Sequence, residues 1–157
     1  MNTAEVENSK FYTKIIESAH QVERKTWNEC ANFNNDDTNI GNPFLSHEFF
    51  CSLEDSGSVS KETGWISQHI LLSDSNSIVG ILPNFIKNHS WGEYIFDQAF
   101  AQALENAGGK YYPKLLSAVP FSPVPGERFL IRAGYDKKKI IKLLLNALEE
   151  LVKIYKV

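Results

Sequence analysis

The stretch from Gly92 to Gly126 constrains this chain most. It carries aromatics, glycines and prolines too densely for an ordinary connector. Its order reads as a short strand over Glu93–Phe96, a capped helix, a glycine stop, an aromatic turn, a strand and a proline-ruled loop. Asp97 stands where a helix cap belongs. Phe100, Ala103, Leu104 and Ala107 follow at the i, i+3, i+4, i+7 spacing of one helical face. Gly108-Gly109 ends that helix, and Tyr111-Tyr112-Pro113 turns the chain into a strand over 114–119. Pro120, Pro123 and Pro125 then hold the loop to extended or turn conformations. A stiff loop of this kind presents a surface at little entropic cost. Glu93, Asp97, Lys114 and Arg128 are the polar groups in or beside the stretch that could do chemistry.

The remaining elements are read in chain order. Residues 1–10 are polar and expected to be frayed, leaving one domain over 11–157. Phe11–Glu17 reads as a strand, and Val22, Trp27, Cys30 and Phe33 as a short amphipathic helix over 22–32. Residues 34–42 read as a loop. Ser46 is an N-cap, with Leu45 and Phe50 as a hydrophobic staple and Gly57 as the stop. That helix places His47 and Glu48 in its first turn, at the positive end of the macrodipole. Residues 65–72 and 78–87 read as two hairpin strands, with Pro83 marking a bulge or an edge and His69 half exposed on the sheet. Phe129–Arg132 reads as a further strand. Asp136 caps a last helix over 137–155, whose apolar stripe (Ile140, Leu144, Leu148, Leu151, Tyr155, widened by Ile141, Leu145 and Val152) expects neighbours on more than one side. A βαβ pattern would continue past that helix, so the chain reads as cut where the fold would go on.

Composition removes several function classes. A net charge of -3 argues against nonspecific binding to DNA. No apolar run approaches the roughly 18 residues of a membrane span. The N-terminus lacks the basic and apolar regions of a secretory signal, and Cys30 and Cys51 form no paired motif, so a cytoplasmic protein with reduced thiols is expected. The four histidines show no ligand-like spacing, so no metal site is expected. No phosphate-loop, dinucleotide or nucleophile-elbow motif occurs, and Cys51 reads as core rather than nucleophile.

A set of motifs points further. Asn42-Pro43-Phe44-Leu45-Ser46-His47-Glu48-Phe49 is followed by Leu53-Glu54-Asp55-Ser56-Gly57-Ser58-Val59, Thr63-Gly64-Trp65 and Gln68-His69. Lys87-Asn88-His89-Ser90, Gly92-Glu93-Tyr94-Ile95-Phe96-Asp97, the run Gly108 to Leu115 and Val119-Pro120-Phe121-Ser122-Pro123-Val124 complete them. Together they resemble the FemAB-like peptidoglycan biosynthesis/recognition group of the GNAT acyltransferase superfamily, from about Phe11 onward.

The resemblance implies a mixed α/β (α+β) fold: a GNAT-like, largely antiparallel sheet flanked by helices, here the first half of a longer protein. It implies acyl or aminoacyl transfer to an amine acceptor, with acyl-CoA or aminoacyl-tRNA as donor. Glu93, Asp97 and His47 are then the candidate bases. Glu48, Tyr94, Tyr111, Tyr112, Lys114 and Phe121 are candidate substrate-binding groups, several of them expected in one groove beside His47 and Glu48. The GNAT pyrophosphate loop is missing; Arg132-Ala133-Gly134-Tyr135 only begins to look like it. No recognisable motif therefore binds a cofactor, and weak or no binding of acetyl-CoA is expected. A missing C-terminal half supplied in trans, or self-association, would cover the last helix. A noncatalytic module that binds a peptide, a glycan or a partner domain is the alternative reading.

Overall fold

The structure is a computed structural model, and residues 10–33, 41–94 and 97–157 are described. The expected frayed N-terminus and most of the loop over 34–42 lie outside the described residues.

Among the described residues, seven strands and four α-helices make a mixed α+β fold with two antiparallel sheets. The strands are β1 (Tyr12–Ile16), β2 (Trp65–Ser67), β3 (His69–Ser73), β4 (Ile78–Leu82), β5 (Phe85–Lys87), β6 (Lys114–Leu116) and β7 (Leu130–Ile131). The helices are α1 (Arg24–Cys30), α2 (His47–Asp55), α3 (Gln98–Asn106) and α4 (Lys137–Tyr155). One sheet has the order β1-β3-β4-β7, the other β2-β5-β6.

Each of the two long hairpin strands expected from the sequence is broken into two. Pro83 has no N–H to give a ladder, so β4 cannot run on into β5. At the break Gln68 N–H donates to the Asn84 carbonyl at 2.8 Å, and Asn84 N–H donates to His69 Nδ1 at 3.2 Å. Beyond it the chain changes partners: β3 pairs outward with β1 and β4 with β7, whereas β2 pairs with β5 and β5 with β6.

The four-stranded sheet is buried on both faces. Ile70, Leu72 and Leu82 pack with Ile140, Leu144 and Leu151 of α4. Leu71, Ile81 and Leu130 pack on the other side with Trp27 and Cys30 of α1 and Phe50 of α2. Gly80 lets α4 come close, since a Cβ there would meet Ile140 Cγ2 at 2.8 Å.

Local signals place the helix ends. The Ser46 hydroxyl accepts from Phe49 N–H, and Gly57 takes the left-handed conformation at φ 71°. Asp136 accepts from the N–H groups of Lys138 and Lys139.

Three expectations are corrected. Gly92, at φ 79°, and Tyr94, at φ 55°, belong to a turn, so no strand begins at Glu93; Ile95 and Phe96 lie outside the described residues. In α3 it is Ala101 that is buried, while Phe100 and Leu104 are exposed. His69 is fully buried, because the rings of Trp27, Phe50 and Phe85 pack around it, with Glu54 of α2 and the Asn84 N–H facing its nitrogens.

Candidate functional site

The three-stranded sheet sets out a cross-strand row: Trp65 of β2 lies opposite Lys87 of β5, and Lys87 lies opposite Lys114 of β6. Two ammonium groups side by side would repel. The turn at Gly92 answers by laying Glu93 between them. Lys114 Nζ donates to Glu93 Oε2 at 2.6 Å and to Asp97 Oδ2 at 2.6 Å, and Lys87 Nζ stands 3.9 Å from Glu93 Oε1. The side chains of Lys87 and Glu93 are 0% exposed. Tyr111 donates its hydroxyl proton to Asp97 Oδ2 at 2.7 Å, and Tyr112 shares a 2.7 Å hydrogen bond with Ser90, which also accepts from Lys114.

Asp97 occupies the N-cap position of α3, but its side chain caps nothing. Lys114 and Tyr111 have claimed it instead. Burial pushes its carboxyl up, yet hydrogen bonds from Lys114, Ser90 and Tyr111 outweigh this and hold it at about 2. Tyr111 is pushed up chiefly by its bond to Asp97, and Lys114 is raised, its desolvation outweighed by Asp97 and Glu93. Lys87 goes the other way. Burial, with Lys114 nearby, brings it down to about 8 against the pull of Glu93. Glu93 Oε1 and Asp97 Oδ1 are buried without hydrogen-bond partners. Each is an open acceptor in a low-dielectric setting, where an unmet polar atom is costly.

An open cleft of about 660 Å³ borders this network. Trp65, Trp91, Phe121, His89, Thr63 and Gly92 line it. Trp65 and Phe121 pack with ring centroids 5.0 Å apart, and Trp91 is 80% exposed. Lys87 lies directly behind the wall: Nζ sits 3.7 Å from the centroid of the Trp65 ring and donates to the Trp91 carbonyl at 3.1 Å. His89 is held by Trp91 N–H at Nδ1 and gives its Nε2 proton to the Thr63 carbonyl.

Glu93, Asp97, Tyr111, Tyr112 and Lys114 thus come together, with Phe121 on the cleft wall. Tyr94 is exposed on the turn, and Arg128 bonds to the Gly126 carbonyl on its own loop. His47 and Glu48 sit elsewhere. His47 Nε2 lies 3.0 Å from the Ala19 carbonyl, and its ring meets Trp27 and the Cys51 thiol. Glu48 is lowered chiefly by its hydrogen bond from Asn28 and also pairs with Arg24. Among the described residues no hydrogen bond or ion pair links either to the Glu93–Lys114 network, so the groove expected beside them is not formed.

Cys51 is core: burial pushes its thiol up to about 11. In the stretch Arg132–Tyr135, Arg132 pairs with Glu29 and Tyr135 donates to Asp74. Lys87 was missed in the sequence. A lysine ending a strand reads as solvated, and only its register opposite Trp65 signals otherwise. Glu54 was also passed over. It accepts from Ser18 at 2.6 Å, from Ala19 N–H at 3.1 Å and from Ser67 at 3.0 Å.

The fold and the site define an α+β protein with a buried lysine–carboxylate network behind an aromatic cleft. The chain belongs to the FemAB-like family, described as peptidoglycan biosynthesis/recognition, which matches residues 18–157. No curated protein and no solved structure matches it. No helix among the described residues is long and apolar enough to cross a membrane.

Proposed function

We propose that the chain serves peptidoglycan biosynthesis in the cytoplasm as a GNAT-type acyl- or aminoacyltransferase module acting on an amine-bearing precursor. One observation carries the reading: Glu93, a buried carboxylate whose Oε1 accepts no hydrogen bond, directly follows Gly92 in the lining of an open aromatic cleft. An ammonium acceptor must lose a proton before its nitrogen attacks the donor carbonyl. Glu93 Oε1 is the acceptor of that proton. The new C–N bond forms as the ester or thioester bond of the donor breaks, and the leaving group is protonated from Glu93 or solvent. Asp97, held at about 2, is a poor base and instead orients Lys114 and Tyr111. The Trp91–Tyr94 turn is the segment that must move for an amine to reach Glu93. Acyl-CoA and aminoacyl-tRNA both remain donors in this reading, and no residue is assigned to hold either.

The test is transfer itself. With a soluble precursor bearing a free side-chain amine and each donor in turn, mass spectrometry should show the added acyl or aminoacyl group. Glu93→Gln should reduce the rate by about a hundredfold or more. Precursor binding without transfer from either donor would leave the noncatalytic recognition reading, which is favoured by Lys114 already holding both carboxylates.

We also propose that a second GNAT-like half, or a second copy of the chain, covers the outer side of α4. There Leu145 and Val152, two turns apart on one side, are exposed although Ile140, Leu144 and Leu151 are buried. Light scattering of this chain should give a mass above that of the monomer; a monodisperse monomer with a sharp melt would remove self-association.

A further inference from the structure

Lys87 is poorly provided for where it lies. Its side chain is fully buried, and an ammonium group has three protons to place. Among the described residues Nζ has the Trp91 carbonyl at 3.1 Å and His89 Nδ1 at 3.4 Å, and that nitrogen already accepts from Trp91 N–H. Glu93 is the carboxylate that faces it. Its Oε1 is 3.9 Å away, beyond hydrogen-bond reach, and its Oε2 is taken by Lys114 at 2.6 Å. Lys114 brings a like charge, and Trp65 offers only the π face of its ring. A neutral amine would sit here at less cost than an ammonium.

The polar cover over Nζ comes largely from one segment. The Trp91 carbonyl and the Glu93 carboxylate both belong to the turn Trp91–Tyr94. The side chains of Trp91 and Tyr94 stand in water, and Tyr94 holds a left-handed backbone at φ 55°, which costs a tyrosine energy. Two bonds fasten the turn to its surroundings: Phe121 N–H donates to the Gly92 carbonyl at 3.0 Å, and Lys114 holds Glu93. Lifting the turn would take carbonyl and carboxylate away together and let water reach Nζ.

We infer that Lys87 makes the Trp91–Tyr94 turn a proton-coupled gate, which closes over the neutral amine and lifts from the ammonium. Lys87 is thereby a positioning residue, acting through the turn that carries Glu93. This deepens the reading above and rests on it only for what passes the gate, the amine acceptor. Burial pushes Lys87 down, Glu93 draws it up and Lys114 presses it down again; it stands at about 8, against 10.5 for an ordinary lysine. With Nζ in water the lifted turn binds more protons than the closed one. Opening is therefore favoured as pH falls and becomes about tenfold rarer per pH unit between about 8 and 10.5.

Amide exchange of the whole chain reads this directly, because Phe121 N–H is released when the turn lifts. Base-catalysed exchange itself quickens about tenfold per pH unit, so at Phe121 the two trends should cancel and the rate should level off above about pH 8. Asp74 N–H, bonded to the Ser77 carbonyl at the tip of the β3–β4 hairpin, should keep accelerating. Lys87→Met has no proton to take up and Lys87→Arg keeps its charge throughout, so in either folded variant Phe121 should regain the full slope. A full slope at Phe121 in the unmodified chain would overturn the inference. So would a plateau shared with Asp74, or one that persists in a variant whose far-UV dichroism is unchanged. No donor or acceptor enters this measurement. A plateau without transfer would sink the transferase reading alone; transfer without a plateau would sink this inference alone.

Discussion

Replacing Lys114 with Met will destabilise the fold by about 3–5 kcal/mol, the usual cost of removing one partner from a buried ion pair. Two carboxylates are left behind. Glu93 has no exposed side-chain surface and Asp97 has 8%. Lys87, 3.9 Å from Glu93 Oε1, answers only one of them. The loss should appear as a lower urea midpoint with an unchanged slope. Adding Asp97→Asn to Lys114→Met should recover part of it, because a neutral amide needs no counter-charge. A loss under about 1 kcal/mol for the single variant would mean that the pair behaves as an exposed one, with water replacing the lysine.

The second large effect is acid sensitivity. Burial alone would raise Glu54; the His69 ring, the Ser18 hydroxyl, the Ala19 N–H and the Ser67 hydroxyl overcome it and hold the carboxyl at about 2. His69 Nε2 is 3.6 Å away, too far for a hydrogen bond, so the three shorter contacts carry most of the geometry. A carboxyl lowered on folding stabilises the native state above its unfolded pKa and loses that contribution as pH falls through the folded value. From an ordinary 4.5 to about 2, the contribution is on the order of 3 kcal/mol, lost between about pH 5 and pH 2. Asp97, lowered from 3.8 to about 2, adds to the same limb. Urea titrations across this range should show stability falling steeply. Glu54→Gln should flatten the fall and lower stability at pH 7. An unchanged acid limb in that variant would show that Glu54 is not its source.

The parts of the fold legible in the sequence are those whose cause lies within a few residues. Ser46 and Asp136 cap the helices that follow them because a short oxygen-bearing side chain meets N–H groups two or three positions on. The splitting of the hairpin strands was not legible beyond Pro83. Which sheet β5 joins depends on β6, almost thirty residues downstream. His69 misled for the same reason: alternation along a strand gives a residue's face, not what covers that face. Burial of α3 was misassigned because its exposed Phe100 and Leu104 make a better apolar stripe than the single Ala101 that packs.

The candidate site was half legible. Glu93, Asp97, Tyr111, Tyr112 and Lys114 were drawn together by their crowding in one stretch, and they do meet. Lys87 and Trp65, from a different hairpin, complete the arrangement and could be found only through strand register. His47 and Glu48 were drawn in by their place at a helix N-terminus, which here serves the packing of α2 against the residues around Ala19 and Asn28.

Strand β6 carries Lys114 as its first residue and, among the described residues, hangs from the sheet by β5 alone. A fluctuation that frees this edge strand must draw Lys114 away from Glu93 and Asp97 in the same event, so both share one local opening free energy. The ion cluster acts as a clasp. Whatever settles in the cleft and steadies the Glu93 turn will also slow the fraying of a strand it never touches, and the amide protons of Lys114–Leu116 will exchange with water only as often as the charges part.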